Sequence, residues 1–163
     1  METTEIQPIP AETSVIPEYP PALTLIYNEE HHTALQGTSS WTYRMGEDSF
    51  SLCADSVHPL PAKERMPFLL TSGTKRVSLV WDFPPDEIFA LCYESSAWGT
   101  YDASGTSVPV MPLLICSDQE EEPRFSLKLK EGDYIYEVTA KWNSSEFWAG
   151  SSKYSFYTLS DLS

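Results

Sequence analysis

The sequence predicts an all-β protein: one antiparallel β-sandwich behind an extended N-terminal segment. Three observations carry this. The apolar residues come in short runs rich in aromatic and β-branched side chains, and several runs alternate with a two-residue period. Clusters of Pro, Gly, Ser and Asp separate the runs, and the 13 Pro fall mostly between them. No long window carries the helical period of about 3.6 residues.

Residues 1–21, METTEIQPIPAETSVIPEYPP, have no strand or helix period and are rich in Pro, Thr and Glu, so they read as a flexible, semi-extended tether. Residues 22–163 form the sandwich domain. Its strand candidates are 22–27, 38–44, 50–54, 76–83, 87–93, 108–116, 124–129, 134–142 and 153–159. Val77, Leu79, Trp81 and Phe83 share one strand face, and Phe125, Leu127 and Leu129 share another. A short helical turn is expected at PAKERMPFLL (61–70), and DQEEEP (118–123) reads as an exposed charged loop. In EGDYIYEVTAKW (131–142), Tyr134, Tyr136, Val138, Ala140 and Trp142 fall on one face, predicted to meet the core. Ile135, Glu137, Thr139 and Lys141 fall on the other.

A net charge of −14 opposes binding to nucleic acid or anionic lipid. Lys63, Arg65, Lys75, Arg76, Lys128, Lys130 and Lys141 are scattered in sequence and suggest no basic patch. Cys53, Cys92 and Cys116 make an odd count without a CxxC pair, so they are expected as buried small side chains rather than a zinc site. No apolar stretch reaches the length of a membrane-spanning helix, and no signal peptide is visible. The opening resembles the tether that follows a membrane anchor. The expectation is a segment that begins after a removed anchor, with Met1 added.

Catalytic chemistry finds little support. CADSVH (53–58) places Cys53 and Asp55 on one strand face with His58 beyond, which could form a Cys–His pair or part of a metal site. The plainer account is a packed Cys53 with Asp55 and His58 at a turn. Glu29, His31 and His32 could hold a divalent metal, but adjacent strand side chains point apart. Asp102, Asp118, Glu120, Glu121 and Glu122 lack the spacing of a calcium loop. There is no G-x-S-x-G elbow, phosphate loop or dinucleotide fingerprint. Expected catalytic residues, metal and cofactors are therefore none. The suggestive side chains are aromatics in candidate loops: Trp98 and Tyr101 in SSAWGTYDASG, and Phe147 and Trp148 in NSSEFWAG. Such rings can bind a sugar or a protein partner, or can fold back over the end of the core.

Leu129, Gly132, Tyr134, Val138 and Ala140, together with VSLVWDFPPDEIFALCY (77–93), resemble immunoglobulin and fibronectin type III sandwiches. The resemblance implies that Tyr134 is the "tyrosine corner", a buried ring whose hydroxyl bonds the backbone upstream. The inter-sheet cysteine pair of antibody domains is missing, and Tyr136 stands where this alignment would put the second Cys. More widely, PALTL (21–25), GTSSWTY (37–43), CADSVHPL (53–60), YIYEVTAKW (134–142) and YSFY (154–157) resemble a group of uncharacterised extracytoplasmic domains of Gram-positive bacteria. These sit behind lipoprotein or transmembrane anchors, some at the outer end of membrane metallopeptidase sensors. The resemblance implies an envelope location and an immunoglobulin-like fold, and it brings no activity or ligand residues. The expected function is a non-enzymatic binding domain whose partner is an envelope or host protein or glycan. It would touch the membrane only through the missing anchor. The alternative is a carbohydrate-binding module built on Trp98, Tyr101 and Trp148.

Overall fold

A computed structural model describes residues 17–54, 65–71, 76–98, 105–116 and 121–160. It shows two sheets packed face to face, an antiparallel β-sandwich apart from one parallel pairing. The strands are β1 (Thr24–Tyr27), β2 (Glu30–Thr33), β3 (Leu35–Met45), β4 (Asp48–Ala54), β5 (Phe68–Thr71), β6 (Arg76–Val80), β7 (Glu87–Glu94), β8 (Thr106–Val108), β9 (Val110–Cys116), β10 (Glu121–Lys128), β11 (Tyr134–Trp142) and β12 (Trp148–Ser160). One sheet has the order β2-β1-β6-β10-β9 and the other β4-β3-β12-β11-β7-β8, with β5 joining β12 in parallel.

Alternation builds the interior. Leu25, Val77, Leu79 and Leu127 point inward from the first sheet, and Trp41, Tyr136, Val138, Ala140, Tyr154 and Phe156 from the second. Trp142 stands edge-on to Trp41, with ring centroids 5.4 Å apart, and to Trp81 at 6.3 Å. Such edge-to-face pairs suit the ring quadrupoles. The Trp142 indole N–H donates to the Phe83 carbonyl (2.7 Å), so a buried donor is satisfied. The Trp81 indole N–H lies against the Tyr154 hydroxyl without a well-formed bond.

The outward face of the second sheet is not simply solvent-facing. Ile135, Tyr157, Tyr93 and Met66 form a second buried cluster there, and Glu137 is also buried. This corrects the one-sided reading of 131–142: the outward face of β11 is covered at Ile135 and Glu137 and opens to solvent by Lys141, and on the predicted core face Tyr134 is only half-buried. Of the helical turn expected at 61–70, Arg65 is in a 3-10 turn and the C-terminal part is corrected. Phe68–Thr71 is β5, extended because it pairs with Tyr157–Ser160 of β12. The pairing sets Phe68 against Tyr157 at 5.6 Å.

Residues 17–21, expected as the end of the tether, lie on the sandwich. Pro17, Pro20 and Pro21 are buried. The Pro17 carbonyl accepts from the Trp41 indole N–H at 2.8 Å, the Pro20 carbonyl from Gln36 Nε2 at 3.2 Å, and the Pro21 carbonyl from the Tyr154 hydroxyl. Proline suits this strap because it fixes an extended backbone and leaves its carbonyl free to accept. The tether's remaining residues, 1–16, lie outside the described residues.

Gly150 sets how closely β12 approaches β3. It pairs with Trp41 at a φ of +155°, and a Cβ there would sit 2.1 Å from the Ser40 carbonyl oxygen and 2.8 Å from the Trp41 ring. Gly150→Ala is therefore expected to destabilise by roughly 1–3 kcal/mol, as overpacking of backbone against backbone does. A denaturant melt reads this directly, and an unchanged midpoint would mean that the two strands are not this close.

Candidate functional site

Phe147 ends the loop between β11 and β12, Trp148 opens β12, and the β6–β7 turn pins that loop. The Asp86 carboxylate accepts the backbone N–H groups of Asn143 (2.6 Å) and Ser144 (3.0 Å), and Glu87 accepts from the Asn143 side chain (2.9 Å). The Asn143 amide is the main reason that the Asp86 carboxyl is held below its usual range. At the near end of β3, the Phe147 carbonyl accepts from the Arg44 N–H at 2.9 Å.

Strand register then places three rings side by side. Trp148 lies opposite Tyr43, and Tyr43 opposite Phe50. Tyr43 and Phe50 stack with centroids 5.1 Å apart and planes 21° apart. Phe83 tilts onto Trp148 at 5.9 Å. The row continues the inward face of the second sheet, one step beyond Trp41 and Leu52, where β3 and β4 extend past the packed core. Phe50 is 43% exposed, and Met45 and Phe147 are exposed as well. β4 is the edge strand, so among the described residues no strand covers the outer face of Phe50. The strap flanks the ledge: partial burial, then the Glu18 charge and the Tyr19 phenol, raise the Tyr43 phenol above its usual range.

Trp98, the other described aromatic singled out in the sequence, lies elsewhere. It follows β7, at the opposite end of that strand from the Asp86 turn. There it is half-buried on the outward cluster, edge-on to Tyr157 at 5.2 Å. The structure thus joins Phe147 and Trp148 but not Trp98. Tyr101 lies outside the described residues, as do Asp55, His58, Asp102, Asp118 and Glu120. Sequence reading missed Tyr43 and Phe50 as exposed aromatics. The signal was present in the alternation of TSSWTYR and FSLCA, but only the pairing of β3 with β4 shows that this face outruns the core.

The remaining candidates separate. Cys53 is exposed on β4, which corrects its expected burial, while Cys92 is buried; both are free thiols. Burial pushes the Cys92 thiol up, although the Tyr136 hydroxyl partly offsets this. Glu29 sits in the β1–β2 turn with φ +66°, and His32 points toward Glu30 at 3.5 Å. Among the described residues no three His, Cys, Asp or Glu side chains converge as metal ligands do.

The role expected of Tyr134, a buried ring whose hydroxyl bonds the backbone upstream, is filled by Tyr136. Tyr136 is fully buried, stacks on Phe156 at 5.1 Å, and its hydroxyl accepts the Lys130 N–H at 2.8 Å. Burial pushes its phenol well above the usual range. Tyr134 instead uses its backbone N–H, donating to Thr158 Oγ1 at 3.2 Å, with its ring under the Lys130 ammonium. The two-residue difference keeps the same strand face, which is why alternation alone does not separate the two.

No protein-family model matches the chain, and neither does any curated protein or solved structure.

Proposed function

We propose that this is a non-enzymatic, immunoglobulin-like binding domain displayed outside the cytoplasm on an anchored envelope protein, and that the β3–β4 ledge receives its partner. The immunoglobulin-like reading is supported by strand order. The run β1-β6-β10-β9 facing β7-β11-β12 follows the ABED and CFG sheets of that sandwich, with Tyr136 near the start of the sixth of these strands and its hydroxyl bonded to the Lys130 N–H upstream. The extracytoplasmic location rests on the sequence resemblance. The observation that carries the binding reading is the Trp148–Tyr43–Phe50 row, a continuous aromatic surface that the core leaves partly open. Exposed aromatic patches of this kind mark interaction surfaces, where rings anchor partners at little entropic cost.

A glycan is the second reading, favoured by the exposed ring of Phe50 and by the Glu18 and Tyr19 polar groups that act on its neighbour Tyr43. Phe50→Ala tests both. The variant is expected to keep its unfolding midpoint within about 0.5 kcal/mol, as surface changes do. Binding should weaken by about 2 kcal/mol, the size of an interface hot spot. A glycan array probed with wild type and variant reads the sugar case. Comparative capture from envelope extracts reads the protein case. A ligand retained equally by both proteins would place the binding surface elsewhere.

A further inference from the structure

Arg76, Lys128 and Lys130 are far apart or merely near in sequence, and the fold gathers them. Antiparallel pairing of β6 and β10 sets Lys128 directly opposite Arg76, and Lys130 follows two residues on. Like charges on opposed strand positions repel. Arg76 Nη1 is satisfied by the Ser126 hydroxyl at 3.0 Å rather than by a carboxylate. Among the described residues no carboxylate pairs with any of the three. In a chain with 24 acids and 10 bases, this clustering without counter-charge comes from register, not from composition. It also corrects the expectation that these cations are scattered.

Beside them lies a groove of about 460 Å³. Ser107, Val108 and Pro109 form one wall, Lys128 to Glu131 the other, and Tyr134 also lines it. The Lys130 ammonium is placed rather than free, 5.5 Å from the centroid of the Tyr134 ring. Among the described residues Glu131 is the only acid lining the groove, against two ammoniums.

We propose that this groove binds phosphate groups carried on a polymer, with Lys128 and Lys130 supplying charge and Arg76 extending the row. Two residues of extended chain separate the lysine backbones by about 7 Å, and Arg76 lies about 5 Å across the ladder. The row is therefore longer than one phosphate and suits successive anionic groups. Phosphate is favoured over carboxylate because each ammonium brings three donors to a group rich in acceptor oxygens. A ligand carrying several phosphates is favoured because it can meet more than one of the spaced cations at once, which offsets the repulsion from a protein of net charge −14. The site is independent of the aromatic ledge.

The test is calorimetric titration of the full chain with short-chain inorganic polyphosphate, orthophosphate and polyglutamate. Saturable binding of polyphosphate is expected, weakened by salt and tighter than that of the other two. Lys128→Gln with Lys130→Gln should weaken it about tenfold at an unchanged unfolding midpoint, the effect of losing two exposed charge contacts. Lys141→Gln with Lys153→Gln, on the other sheet, and Phe50→Ala should leave it unchanged. If the double variant melts early, Lys128→Gln alone is read in its place. Absence of binding at low salt would overturn the proposal. So would equal affinity for polyglutamate or orthophosphate, or an equal loss in the Lys141 and Lys153 pair.

Discussion

Tyr136→Ala is expected to cost on the order of 3–5 kcal/mol, a large share of the stability of a domain this size, by analogy with other buried aromatic truncations. Its ring is fully buried between the sheets and stacked on Phe156, so truncation leaves a cavity that the paired strands on both sides cannot collapse to fill. Tyr136→Phe separates the hydroxyl from the ring. It removes the acceptor of the Lys130 N–H, and the expected loss is about 0.5–1.5 kcal/mol, the net worth of a part-buried hydrogen bond. Tyr134→Phe should stay within about 0.5 kcal/mol, because the hydroxyl it removes holds no backbone group among the described residues. Three denaturant melts decide the assignment. A larger loss at Tyr134 than at Tyr136 would return the corner to Tyr134, and equal small losses at both would remove it altogether.

Deletion of residues 1–21 is expected to cost about 3 kcal/mol more than deletion of residues 1–16, the sum of three hydrogen bonds at roughly 0.5–1.5 kcal/mol each. The difference lies in the strap, whose Pro17, Pro20 and Pro21 carbonyls serve Trp41, Gln36 and Tyr154. Tyr154 is the most consequential of these. Burial raises its phenol to about 12, so its proton stays on at neutral pH and the hydroxyl remains a donor to Pro21. Removing the strap exposes these groups to water, which replaces part of the lost bonding and limits the effect. Comparing unfolding midpoints of the two truncations isolates residues 17–21. Equal midpoints would restore the tether boundary at residue 21. A deficit appearing already on deletion of 1–16 would show that the upstream residues pack as well.

The candidate ledge was half legible. Phe147 and Trp148 stand out as aromatics in a polar stretch, and the structure sets Trp148 opposite Tyr43, which stacks on the exposed ring of Phe50. Tyr43 and Phe50 lie within alternating strands, where a ring reads as core. Their exposure depends on how far β3 and β4 extend past the opposing sheet, a tertiary quantity. Trp98 illustrates the converse. Its loop setting resembles that of Trp148, but the outward face of its sheet carries Tyr157 and Ile135, and the indole packs there.

The sequence by itself determined the all-β class, most strand positions and the inward face of β6 and β11, because a two-residue period is a property of the local backbone. It also held part of the chemistry of the strap, since proline fixes φ, favours an extended residue before it and brings a carbonyl acceptor without an N–H donor. Only the tertiary structure decided what those carbonyls meet, which of two tyrosines on one face buries its ring and bonds the backbone upstream, and that β5 extends along β12. It alone set Arg76 against Lys128 across 52 residues of chain. These outcomes depend on register and on contacts between distant segments. Local pattern carries no information about either, because shifting a strand by two residues preserves every inward and outward face.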